Sequence, residues 1–66
     1  MDRERAIGYI HANFGQLIKF KTDSLEIYTI KHITAEGIDR FEFIDLKGNP
    51  VSIPYNDIRE FWVTRQ

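Results

Sequence analysis

The N-terminal part of the chain contains four apolar residues at helical spacing, which are Ala6, Ile7, Ile10 and Phe14. This spacing puts them on one face and predicts a helix over residues 2–14. Asp2 is suited to the N-cap position, and Gly15 is suited to the left-handed conformation that ends many helices. We therefore expect one short N-terminal helix with a single apolar stripe.

From residue 16 onward the apolar period changes to two, which is typical of β-strands. Turn signals divide residues 16–64 into five strands, predicted over residues 16–21, 25–33, 38–46, 51–53 and 60–64. The segment Lys47 to Pro50 predicts a hairpin, and residues 55–57 predict a single 3₁₀ turn. The alternation slips in the second strand, so either both of its faces are partly covered or a bulge or bend lies near Thr29.

These elements predict a mainly β protein with one N-terminal helix, forming one domain over residues 1–66. Five short strands favour a small, strongly bent antiparallel sheet or a small barrel that closes on itself, with the helix over one end or one face. The predicted core residues are Ile7, Ile10, Phe14, Ile18, Phe20, Ile27, Phe41, Phe43, Val51, Ile53, Ile58, Phe61 and Val63.

Composition narrows the class of protein. The 66 residues include no cysteine and only two histidines, which excludes a disulfide scaffold and disfavours a metal site. No apolar run approaches the ~20 residues that cross a bilayer, and the first 15 residues lack a signal-peptide core, so we expect a cytoplasmic protein with no membrane partner. A domain of this size buries only ~60% of its unfolded surface, so efficient packing or self-association must stabilise it.

The order of elements resembles the Sm-like and SH3-like small β-barrels over nearly the whole chain. The best part is the segment 51–61, which is similar to the strand–tight turn–strand ending of Sm-like proteins, including the Hfq type of bacterial RNA chaperone. The resemblance implies a small barrel. The loop 34–37 offers no Asp and Asn pair of the family's first motif, and Pro54 and Tyr55 replace the Arg-Gly of the second, so no RNA-contacting residue is carried over.

Catalytic, cofactor and metal-binding residues are not expected. His11 and His32 have no serine or cysteine nucleophile motif nearby, and no glycine-rich phosphate loop is present. Four carboxylates lie close together in sequence, but a domain this small has little volume for a water-excluding pocket; they are Glu36, Asp39, Glu42 and Asp45. We therefore expect a non-enzymatic protein.

Nucleic-acid binding is the alternative function that the sequence leaves open. Lys19, Lys21 and Lys31 would lie on the outer face of the first two strands, and Tyr28 and His32 would offer rings for base stacking. The net charge of -1 opposes this interpretation, because phosphate binding depends on cationic side chains. The same lysines are also explained as solvated charges that protect strand edges.

Protein binding is the favoured function, with Tyr55 and Trp62 as candidate contact residues. Trp62 has the opposite parity to Phe61 and Val63, so its side chain belongs to the other face of the last strand. Either the helix covers that face, or Trp62 and Tyr55 are interface anchors. The sequence thus predicts a non-enzymatic interaction module that engages a protein partner or a second copy of itself, with single-stranded RNA or DNA binding as the alternative.

Overall fold

Five antiparallel strands form one sheet in the computed structural model, which describes residues 1–64. Residues 65 and 66 of the predicted domain lie outside the described residues. The elements are α1 (Arg3–Ala12), β1 (Leu17–Thr22), β2 (Ile27–Glu36), β3 (Arg40–Asp45), β4 (Pro50–Pro54), a 3₁₀ turn (Tyr55–Asp57) and β5 (Ile58–Thr64). The predicted fold class, mainly β with one N-terminal helix, is confirmed.

The sheet has the strand order β4-β3-β2-β1-β5, so the last two strands of the chain form its opposite edges. A flat sheet of five strands would place these edges about 19 Å apart. Pro54 ends β4 and Ile58 begins β5, and four residue steps span at most about 14 Å. The sheet must therefore curl so that its edges approach each other, although β4 and β5 do not pair and the sheet is not closed.

Two irregularities in β2 allow this curl. The register between β2 and β3 shifts between Ile30 and His32 and again between Ile33 and Ala35. A bulge bends its strand and changes which residues face the core. The bend predicted near Thr29 thus lies slightly later in the strand.

The start of β2 contradicts the predicted core position of Ile27. Ile27 lies opposite Lys21 on the outer face and is 57% exposed, whereas Tyr28 and Ile30 lie opposite Phe20 and Ile18 on the inner face. Leu25, two residues before Ile27, has a φ of 68°, which is a left-handed conformation. Strand β2 therefore starts only at Ile27, and this start determines which of its residues face the core.

Helix α1 packs on the inner face of the curled sheet. Asp2 is the N-cap as predicted, because its Oδ1 accepts a hydrogen bond from the backbone N–H of Arg5 at 2.8 Å. Ala6 and Ile10 are the buried residues of the helix. The buried apolar core consists of Ala6, Ile10, Ile18, Ile30, Phe20, Phe41, Phe43, Ile53, Tyr55 and Ile58. Ile7, Val51 and Phe61 are partly buried against it, and Val63 is half-buried.

Candidate binding groove beside the helix

Phe14 is on the surface, which contradicts its predicted place in the core. The helix ends at Ala12, and Asn13 closes it with its backbone N–H and its side-chain Nδ2, which both donate to the carbonyl of Tyr9. Phe14 therefore lies in the turn after the helix, where the helical period no longer applies, and Gly15 follows with a φ of 90°. The Phe14 side chain is 82% exposed.

An apolar groove adjoins this ring, and we call it the Phe14 groove. It consists of two adjoining cavities of about 410 and 470 Å³ that share Ile10, Phe14 and Ile33. The first is also lined by Gly15, Gln16, Leu17, Ile18, Ile30, Lys31, His32 and Leu46, and the second by His11 and Glu36. Leu46, at the end of the β3 strand, is 54% exposed. Two large exposed apolar side chains thus lie in one concave surface, which is typical of a binding site rather than of scattered surface residues.

The two ends of the groove differ in charge. Lys31 and His32, at the bulge of β2, line the end near Leu46 and are exposed. Glu36 lies at the other end, where its Oε2 is 2.8 Å from Nε2 of His11. This pair links the last turn of α1 to the end of β2 and fixes the position of the groove wall.

The five residues of the nucleic-acid hypothesis lie on three different surfaces. Lys19 and Lys21 are on the outer face of β1, opposite Trp62 and Glu60 of β5. Lys31 and His32 belong to the Phe14 groove. The structure therefore does not bring the predicted cations and aromatic rings together on one platform.

Tyr28 is on the inner face of the sheet. Its ring stacks on Phe20 at 5.4 Å and meets Phe43 edge-on at 6.0 Å, so it is not displayed beside the lysines. Burial raises the pKa of the Tyr28 phenol, and the Glu26 carboxylate, which accepts its hydrogen bond at 3.3 Å, raises it further.

Tyr55 is a core residue, which corrects its prediction as a surface anchor. It is only 2% exposed and stacks on Phe41 at 5.7 Å, because the 3₁₀ turn directs it into the curl of the sheet. Its hydroxyl donates to the carbonyl of Gly37 at 2.9 Å, and the same carbonyl accepts from Nε of Arg3 at 2.8 Å. Burial raises the pKa of the Tyr55 phenol, and nearby Arg3 offsets part of this rise.

Trp62 lies on the outer face opposite Lys19, where it is half-buried. The helix packs on the inner face, where Tyr9 stacks on Phe61 at 4.9 Å, so the expectation that the helix covers Trp62 is wrong. Trp62 keeps its candidacy as a protein contact, while Phe14 and Leu46 are groove residues that the sequence interpretation missed. The stop signals at Asn13 and Gly15 are what indicate that Phe14 leaves the helix.

Comparison of the chain with protein-family models, with curated proteins and with solved structures finds no match. Within residues 1–64, no helix has the length and apolar character that spanning a bilayer requires. In the same part of the chain, no three His, Cys, Asp or Glu side chains are grouped as a metal ion would need. The geometry of the groove is thus the observation on which a function can be argued.

Proposed function

We propose that this chain is a non-enzymatic interaction module that binds a protein partner through the Phe14 groove, and that this partner is a second copy of the chain. One observation carries the proposal: the exposed Phe14 ring stands beside an apolar cavity of about 470 Å³ lined by Ile10 and Ile33. A cavity of about 150 Å³ is enough to hold benzene. The groove of one copy is therefore large enough to receive the Phe14 ring of another.

The arrangement is self-complementary. In a two-fold dimer the same patch serves both subunits, so each Phe14 enters the groove of its partner. The two-fold axis also brings opposite ends of the two grooves together. Lys31 and His32 of one copy then face the end that carries Glu36 in the other, which is a favourable pairing of charge.

The energetics predict a weak dimer. Burying one phenylalanine side chain contributes about 1.5–3 kcal/mol, so the two Phe14 rings contribute about 3–6 kcal/mol. The two exposed Leu46 side chains add to this. These gains are of the same order as the ~4–15 kcal/mol that association costs in lost freedom, so we expect a weak dimer that forms only at high protein concentration.

Two further observations support the proposal that this chain is a protein-binding interaction module. The helix, the five strands and the three-residue 3₁₀ connection support the resemblance to the small-barrel proteins, although the sheet is open. The candidates for nucleic-acid binding are divided among three surfaces, and Lys21 lies opposite the acidic Glu60. Single-stranded RNA or DNA binding is therefore the competing function, and the same experiment addresses it.

The test is sedimentation equilibrium over a protein concentration series, with Phe14→Ser as the variant and Ile38→Ser as the matched control. Ile38 is 90% exposed and lines neither cavity of the groove, so its substitution removes a large exposed apolar side chain elsewhere. We expect the parent and Ile38→Ser to dimerise alike. Phe14→Ser should weaken the dimer about 100-fold or more, because about 3 kcal/mol or more is lost per dimer.

Three outcomes would overturn the proposal. The first is a parent that stays monomeric at about 1 mM. The second is equal weakening by both variants, and the third is a dimer that Trp62→Ala, but not Phe14→Ser, abolishes. Fluorescence anisotropy with labelled single-stranded RNA and DNA tests the competing function. Tight binding that weakens steeply with salt and is lost in Lys19→Glu would favour nucleic-acid binding.

A further inference from the structure

A second concave surface lies along another side of α1, and we call it the arginine cleft. Its volume is about 320 Å³, and it is lined by Met1, Arg5, Tyr9, Arg59, Glu60 and Phe61. It shares no residue with the Phe14 groove. Any function of this cleft is therefore independent of the proposed dimer.

Two arginines and an aromatic pair from α1 and β5 line the cleft. Arg5 and Tyr9 are four residues apart in α1 and thus on the same side of the helix. Arg59 is the residue of β5 at which the pairing with β1 shifts register, and it lines the cleft together with Phe61. Tyr9 stacks on Phe61 with an interplanar angle of 8°. This contact joins α1 to β5, and each of these two elements also contributes one arginine to the cleft.

Neither of the two arginines forms an ion pair with a residue in the described part of the chain. The ion pairs within residues 1–64 are His11–Glu36 and Arg40–Asp39, so neither cleft arginine is part of one. The Asp2 carboxylate caps the helix through the backbone N–H of Arg5. Glu60 lines the cleft, but it lies opposite Lys21 on β1.

Two like charges in one cleft repel each other, and a bound anion removes this repulsion. The guanidinium group is the side chain best shaped for two-pronged hydrogen bonds to phosphate. Tyr9 and Phe61, both half-buried, give the same cleft an aromatic wall, on which a planar ring can stack. The net charge of the whole chain is -1, so this positive site is local rather than a general property of the surface.

We propose that the arginine cleft binds a phosphate group attached to a planar ring, the chemistry of a nucleoside monophosphate. Arg5 and Arg59 hold the phosphate, and the Tyr9–Phe61 pair contacts the ring. The ligand is either a free nucleotide or one nucleotide of a single strand, since both present the same two groups.

The test is a titration followed by ¹H–¹⁵N NMR at low salt, with adenosine monophosphate, adenosine, inorganic phosphate and a short oligoadenylate as separate probes. We expect the monophosphate to shift the amide signals of Arg5, Tyr9, Arg59 and Phe61. Adenosine and inorganic phosphate should bind at least about tenfold more weakly, because each offers only one of the two groups. Tighter binding of oligoadenylate at the same amides would identify the strand as the source, and equal binding would identify the free nucleotide.

Arg5→Gln and Arg59→Gln are the variants, and Arg40→Gln is the matched control. Arg40 is an exposed arginine on β3 that does not line the cleft. Each cleft variant should weaken monophosphate binding at least about tenfold, whereas the control should leave it unchanged. The absence of shifts for both nucleotide probes at about 10 mM would overturn the proposal, as would equal weakening by Arg40→Gln, which would indicate nonspecific attraction.

Discussion

Truncation of Phe43 to alanine tests the core most directly. Phe43 lies on β3 and is fully buried. Its ring centroid is 5.3 Å from that of Phe41, 5.6 Å from that of Phe20 and 6.0 Å from that of Tyr28. The alanine variant therefore loses three aromatic contacts and leaves a cavity at the centre of the sheet.

The expected cost is large relative to the stability of the domain. Replacing a buried phenylalanine by alanine costs about 3–5 kcal/mol, as transfer energy and cavity together. At about 0.05–0.15 kcal/mol per residue, a chain of 66 residues has a free energy of unfolding of about 3–10 kcal/mol. Phe43→Ala thus removes between about a third and all of the stability, so Phe43→Leu is the graded variant that should remain folded.

Urea unfolding followed by circular dichroism measures these differences, with Phe14→Ala as the matched control. Phe14 is the same residue type at 82% exposure, so its truncation should change the free energy of unfolding by no more than about 0.5 kcal/mol. The comparison must be made at low protein concentration, where the proposed dimer is dissociated. A Phe43→Ala variant that unfolds like the parent, or a Phe14→Ala variant that is equally damaged, would refute the assigned burial of the two rings.

Three further substitutions test local features. Asp2→Ala removes the 2.8 Å cap of α1 and should lower the free energy of unfolding by about 1 kcal/mol; no change in the urea midpoint would contradict the cap. Gly37→Ala should also destabilise, because a Cβ there would lie 2.7 Å from the carbonyl oxygen of Arg40; a variant as stable as the parent would show that the turn adapts. The pKa of Tyr55 is raised above its ordinary value of 10.0, so its contribution to stability is complete below pH 10 and is lost as the pH rises through the folded-state pKa. The melting temperature should therefore fall less steeply from pH 8 to 12 for Tyr55→Phe than for the parent. Parallel curves of melting temperature against pH would contradict the raised pKa of Tyr55.

The order of elements was predictable because the apolar period is clear and the turn chemistry is local. On β1, Ile18 and Phe20 face the core and Lys19 and Lys21 face outward, as the alternation indicates. The hairpin of β3 and β4 was predicted from its turn residues. Gly48 there has a φ of 86°, a conformation that glycine adopts without strain.

The predicted burial is wrong where a local irregularity of the backbone changes which residues face the core. A left-handed Leu25 is rare for a branched side chain, so the sequence gives no reason to place Ile27 outside and Ile30 inside. Tyr55 lies in the 3₁₀ turn, where strand parity does not apply. Sequence patterns also do not show how far the sheet curls, although the curl is what buries this ring against Phe41.

The candidate sites were less predictable because both depend on where a short helix lies. The ten residues of α1 extend about 15 Å, whereas the longest dimension of the molecule is 28 Å. The helix therefore cannot cover the whole inner face of the curled sheet.

On one side of the helix Tyr9 packs on Phe61, and Arg5 and Arg59 line the cleft beside this pair. On another side the helix ends before Phe14, which lines the groove. The two surfaces have opposite character, since one is cationic and the other is apolar. They also share no lining residue, so substitutions in one should leave the other intact. A chain of 66 residues can in this way carry two separate candidate binding surfaces, because a helix too short to complete the core leaves different side chains uncovered on two of its sides.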